Sequence, residues 1–118
     1  MLRFMLKSKI HRATVTDADI NYEGSITIDE DLIKAANILP YEKVNIYDIT
    51  NGNRLETYVI LGKSGSGDMC INGAAAHLVK KGDIIIVASF VMLHEDVIKN
   101  YKPKLVYVNE KNAIVKVS

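Results

Sequence analysis

The sequence predicts a small, mainly β domain with short helices, and three observations carry that reading. Most segments are short runs rich in β-branched residues, turn residues separate them, and only two stretches of the 118-residue chain have a helical pattern. Arg3 to Lys7 and Ile10 to Thr16 read as the first strands. A helix is expected over Glu30 to Ala36, because Asp29 can cap it, Glu30 and Asp31 fall in its first turn, and Leu32, Ile33 and Ala36 share one face. Lys43 to Ile49 and Leu55 to Leu61 read as the arms of a hairpin, since the intervening Asn51-Gly52 favours a type I′ turn with positive φ at both central residues. That hairpin places Arg54, Thr57 and Tyr58 on or beside a defined strand. Gly62 to Asp68 reads as a flexible loop, and Met69 to Ile71 and Ile84 to Val91 as further strands. A second helix is expected over Glu95 to Tyr101, before Pro103, followed by strands at Leu105 to Val108 and Ile114 to Val117.

No repeat, linker or low-complexity tract divides the chain, so a single domain over residues 1–118 is expected, a length that suits one core. Fifteen Lys and Arg against fourteen Asp and Glu leave a net charge of +1. That balance provides no global field for nucleic acid or an anionic membrane, so a charged substrate must be met by local groups. Cys70 is the only cysteine and cannot form an internal disulfide. The basic opening residues lack the apolar stretch of a secretion signal, so a reducing cytoplasm is the expected location. The longest apolar run, Ile84 to Leu93, is well short of the ~20 residues of a membrane-spanning helix.

Several familiar motifs fail on inspection. Gly62-Lys63-Ser64 resembles the end of a phosphate-binding loop, but Thr57 stands where its first glycine belongs. Gly65 and Gly67 begin a dinucleotide fingerprint that Cys70 interrupts. His11, His77, His94 and Cys70 are too scattered for metal-ligand spacing, and no metal is expected.

Tyr22-Glu23-Gly24-Ser25-Ile26, followed by Ile28-Asp29, resembles the self-processing site of the pyruvoyl-dependent aspartate 1-decarboxylase family. The resemblance continues through Lys9-Ile10-His11-Arg12, Val15-Thr16, Thr50-Asn51-Gly52 with Arg54, Thr57-Tyr58, Asn72 to His77, and Gly82-Asp83-Ile84. Each block alone is common; their joint order and spacing over nearly the whole chain are specific.

The resemblance implies a six-stranded double-psi β-barrel, a homotetramer with active sites at subunit boundaries, and decarboxylation of L-aspartate to β-alanine for pantothenate and coenzyme A synthesis. It also implies cleavage into residues 1–24 and 25–118. Gly24 would offer an uncrowded carbonyl in backbone angles that other residues avoid, and Ser25 Oγ would attack it. Thr57 would donate to the oxyanion formed. Ser25 would then become a covalent pyruvoyl cofactor, the electron acceptor that loss of carbon dioxide from an α-amino acid requires. Tyr58 is the expected proton donor to Cα, and Arg54, suited to bidentate carboxylate recognition, is favoured over Lys9 as a substrate cation. Lys9 and Arg54 are expected to reach the site from a neighbouring chain. Asn72, Gly73, Ala74 and Ala75 would contact the pyruvoyl group or let substrate approach, while His11 and Tyr22 flank the site and His77 is structural. Whether a maturation partner assists the cut is left open.

Two rival readings compete. Ser25 with His11 or His77 would make a hydrolase, but no nucleophile-elbow sequence surrounds it. A small β-barrel binding module would treat Gly24-Ser25 as an ordinary turn.

Overall fold

A computed structural model describes residues 1–118, and the mainly β expectation with short helices holds. The strands are β1 (Leu2–Thr14), β2 (Asp17–Asp19), β3 (Ser25–Asp29), β4 (Lys43–Asp48), β5 (Arg54–Gly62), β6 (Met69–Asn72), β7 (Ile84–His94), β8 (Lys104–Val108) and β9 (Ile114–Val117), with one α-helix, α1 (Glu30–Ala36). Their hydrogen-bonded order is β2-β6-β3-β5-β4-β7-β1-β8-β9. The ladders mix both senses: β3 runs parallel to β5 and β1 to β8, whereas β3 runs antiparallel to β6 and β4 antiparallel to both β5 and β7. Ladder hydrogen bonds do not close this order into a ring. One core nevertheless gathers Ile71 from β6, Ile26 and Ile28 from β3, Ile46 from β4, Val87 from β7 and Val106 from β8. Strands near opposite ends of the order share that core, so the sheet bends round on itself, as a barrel requires. No helix is long and apolar enough to cross a membrane.

Helix α1 spans the residues expected of it. Asp29 caps it by accepting from Asp31 N at 2.8 Å, and Leu32, Ile33 and Ala36 are buried. The Asp29 carboxylate also accepts from Gly65 N at 3.1 Å and Gly67 N at 2.8 Å, while Asn112 Nδ2 donates to Gly67 O at 2.8 Å. The loop expected to be flexible is therefore tied at both ends of its glycine run.

Four expectations are corrected. The two N-terminal strands are one, β1, with irregularities between Leu6 and Ser8 and between Ile10 and Ala13; Arg12, at φ 64°, lies in the second. Strands β2 and β3 were not anticipated. The second helix is reduced to a 3₁₀ turn over Glu95–Val97, because none of its residues is buried and there is no apolar face to dock. The β4–β5 hairpin exists, but only Gly52, not Asn51, has positive φ. Asp48 Oδ1 accepts from Thr50 N at 2.8 Å and Asn51 N at 3.3 Å, closing a longer side-chain-stabilised turn in place of type I′.

Candidate active site

Strand β3 sets the site. Ile26 and Ile28 are fully buried, which fixes its register, since a one-residue slip would turn both out of the core. Ile26 pairs with Val59, so one and two residues earlier Ser25 lies beside Tyr58 and Gly24 beside Thr57. On the other side Ser25 pairs with Asn72, the last residue of β6. Ser25 is fully buried, while the preceding Gly24 is exposed. The Gly24-Ser25 junction thus runs from solvent straight into the protein.

Three hydrogen bonds hold the serine hydroxyl and its neighbour. Asn72 Nδ2 donates to Ser25 Oγ at 3.0 Å and to Thr27 Oγ1 at 3.0 Å, and Ser25 Oγ donates to Glu23 O at 3.3 Å. Residue 73 must be glycine here. It sits at φ 72°, and a Cβ on it would lie 2.6 Å from Gly24 Cα, 2.7 Å from Gly24 N and 2.9 Å from Tyr22 O. Gly24 itself does not have positive φ, and a Cβ there would meet nothing within 4 Å. The backbone constraint that requires a glycine thus lies across the strand at Gly73 rather than at Gly24.

A cleft of about 390 Å³ opens in front of this junction, lined by Gly24, Thr57, Tyr58, Ala74, Ala75 and Leu78 among others. The 3₁₀ turn Gly73–His77 forms one wall, and its small side chains leave the cleft open. Tyr58 is 36% exposed and Thr57 half-buried. Gly24, Thr57, Tyr58, Ala74 and Ala75 are therefore brought together, with Ser25, Asn72 and Gly73 beside or behind them. Lys9 and Arg54 are not part of this cleft. Arg54 lies over the Tyr47 ring, 4.6 Å from its centroid, and Lys9 is on β1, with three strands between β1 and β3 in the sheet order. His11 stands edge-on to Tyr107 with ring centroids 5.6 Å apart. Burial first, then Lys9 and Arg12, hold its pKa below the usual histidine value. Tyr22 is exposed at the mouth of the junction, and His77 ends the 3₁₀ turn in solvent.

The sequence reading missed Thr27 and Leu78. Thr27 carries a signal in hindsight, because on a strand it shares a face with Ser25 two residues earlier. Leu78 is held by residues distant in sequence: Asn51 Nδ2 and Asn53 Nδ2 each donate to Leu78 O at 2.9 Å.

Asp48, at the base of that clamp, is 2% exposed, and its Oδ2 has no hydrogen-bond donor from any other group. Burial, then the adjacent Asp83 carboxylate, push its pKa up to about 6. Below that value a proton shared with Asp83 would supply the missing donor. Because the folded value lies above the unfolded one, this group's contribution is complete below about pH 4 and is lost as pH rises through about 6. Asp48→Asn keeps an acceptor for the turn and supplies a permanent N–H. Its stability relative to the parent should therefore rise by on the order of 2 kcal/mol between pH 4 and pH 7. Denaturant melts at both pH values measure this, and a pH-independent difference rejects the shared proton.

A family model described as aspartate decarboxylase matches residues 1–115. A protein of Syntrophus aciditrophicus named aspartate 1-decarboxylase is 61% identical over 114 residues, covering 97% of this chain and 98% of its own. Proteins with the same name from Thermoanaerobacter pseudethanolicus and Myxococcus xanthus are 58% and 56% identical, covering 95% and 98% of this chain and 96% and 88% of theirs.

Proposed function

The chain belongs to the aspartate decarboxylase family, and from that premise we propose that it cuts itself between Gly24 and Ser25 and then converts L-aspartate to β-alanine and carbon dioxide. The observation that carries this reading is Ser25 Oγ, buried and held by Asn72, on the residue directly after a glycine that lines the cleft.

In the cut, Ser25 Oγ attacks the Gly24 carbonyl carbon. The Gly24 C–N bond breaks, the hydroxyl proton passes to the Ser25 nitrogen, and an ester replaces the amide. Thr57, level with Gly24 on β5, is the proposed donor to the oxyanion. Loss of the Ser25 α-proton expels the Gly24 carboxylate, and hydrolysis of the resulting dehydroalanine releases ammonia and leaves a pyruvoyl group at the head of residues 25–118. The site suits such a group: it is buried, Asn72 Nδ2 already points at it, and Gly73, Ala74 and Ala75 add little bulk. When formed, that group supplies the conjugated acceptor for the electron pair that departing carbon dioxide leaves on Cα.

Tyr58 holds a phenolic proton on the cleft wall for return to Cα, without the cost of burying a charge. The substrate carboxylates need cations, and the cleft of a single chain contains neither Lys9 nor Arg54. We assign both to a neighbouring copy in a homotetramer. Phe4 (76% exposed), Phe90 and Met92 form exposed apolar area on paired strands β1 and β7, which suits contact between copies. The product would feed pantothenate synthesis in the cytoplasm.

The test is the mass of the purified protein under denaturing conditions after warm incubation. Two fragments that join at Gly24 and Ser25, the larger with a carbonyl-reactive start, are expected. A chain that stays intact both alone and in a bacterial lysate, with no aspartate turnover, overturns the reading.

A further inference from the structure

We infer that Thr27 is a positioning residue for self-cleavage, its hydroxyl giving the Asn72 amide the second anchor that keeps Nδ2 directed at Ser25 Oγ. The inference rests on the self-processing reading above and adds a residue to it. Ser25 and Thr27 are two apart on β3, so both hydroxyls lie on one face, and β6 brings Asn72 opposite Ser25. The two N–H groups of Nδ2 diverge, and each finds one of these oxygens at 3.0 Å. The bond to Asn72 is the only one that Thr27 Oγ1 makes.

A carboxamide held at one point turns about its Cβ–Cγ bond, and one of its orientations presents Oδ1 in place of Nδ2. In that orientation the Ser25 hydroxyl hydrogen is drawn to the amide. With Nδ2 donating, the same hydrogen goes to Glu23 O and a lone pair of Oγ stays available for the Gly24 carbonyl. Two anchors select the second arrangement. Packing alone gives no reason for a hydroxyl at this position, since valine has nearly the same shape and equal or better strand propensity.

Newly translated chain, followed by mass under denaturing conditions, gives a first-order cleavage rate. Thr27→Val should fold with a melting temperature close to the parent's yet cut about 10-fold more slowly or worse, by the usual cost of a mispositioned group. Thr27→Ala should be equally slow, so that a packing fault peculiar to valine is separated from loss of the hydroxyl. Thr27→Ser, which restores the hydroxyl, should cut at close to the parental rate. Parental cleavage rates in Thr27→Val and Thr27→Ala, or a Thr27→Ser chain as slow as either, overturn the inference. A parent chain that never cuts sinks the self-processing reading instead, so the two failures are distinguishable.

Discussion

Ser25→Ala should fold, remain a single chain of 118 residues, and form no measurable β-alanine from aspartate. The substitution removes one oxygen. Asn72 Nδ2 keeps Thr27 as an acceptor, and the two bonds that Ser25 Oγ makes, with Asn72 and Glu23, are lost, so the stability lost should be about 2 kcal/mol. The chemistry loses both its nucleophile and its leaving oxygen, because Oγ must depart from Cβ with the Gly24 carboxylate before dehydroalanine, and from it the pyruvoyl group, can form. Denaturing mass and a β-alanine assay on the same sample decide the matter. Turnover by an uncut chain would show that the pyruvoyl mechanism is wrong, and that Ser25 plays no covalent part.

Gly73→Ala should have the next largest effect, and by a route the sequence did not suggest. The new Cβ would fall within 3 Å of three backbone atoms of Tyr22 and Gly24, none of which can swing aside as a side-chain tip can. The backbone leading into the Gly24 carbonyl must move, and such misplacement can cost ~100-fold in rate. Alanine at φ 72° adds a local penalty of about 1 kcal/mol. Gly65→Ala is the control: φ is 77°, but a Cβ there would meet nothing within 4 Å. The control should lose similar stability and cut normally, while Gly73→Ala should both lose stability and cut slowly. Equal cleavage rates in the two variants would mean that close approach at Gly73 does not shape the junction.

What was legible in the sequence follows from where each element gets its stability. Helix α1 could be read residue by residue because its cap, its acids and its apolar face are all local. The hairpin was legible as a pair of strands, but its turn was not, since the turn depends on Asp48, a side chain outside the Asn51-Gly52 dipeptide. Strand β3 was invisible as a strand for a similar reason. It is five residues long, three of them Ser, Thr or Asp, and it exists because β5 and β6 arrive on either side. Recognition of the blocks around Gly24, Thr57 and Asn72 named the junction, the cleft wall and the hydrogen-bond donor without this strand. It could not reveal that Thr27 joins them, or that the close backbone contact lies at Gly73. Lys9 and Arg54 were recognised by block as well, and they stand apart from the cleft of a single chain.

Strand β1 belongs to the segment that the proposed cut would release, yet it is the longest strand and pairs with β7 on one side and β8 on the other. Ile10, Ala13 and Val15 from the same segment are wholly or almost wholly buried. Once severed, residues 1–24 would remain as a peptide ligand woven into the sheet of its own parent. Unfolding of each subunit would then release two chains in place of one, and the fragment's return would require a second-order encounter. Maturation would thus add, within every subunit, a dependence on dilution that the uncut chain does not have.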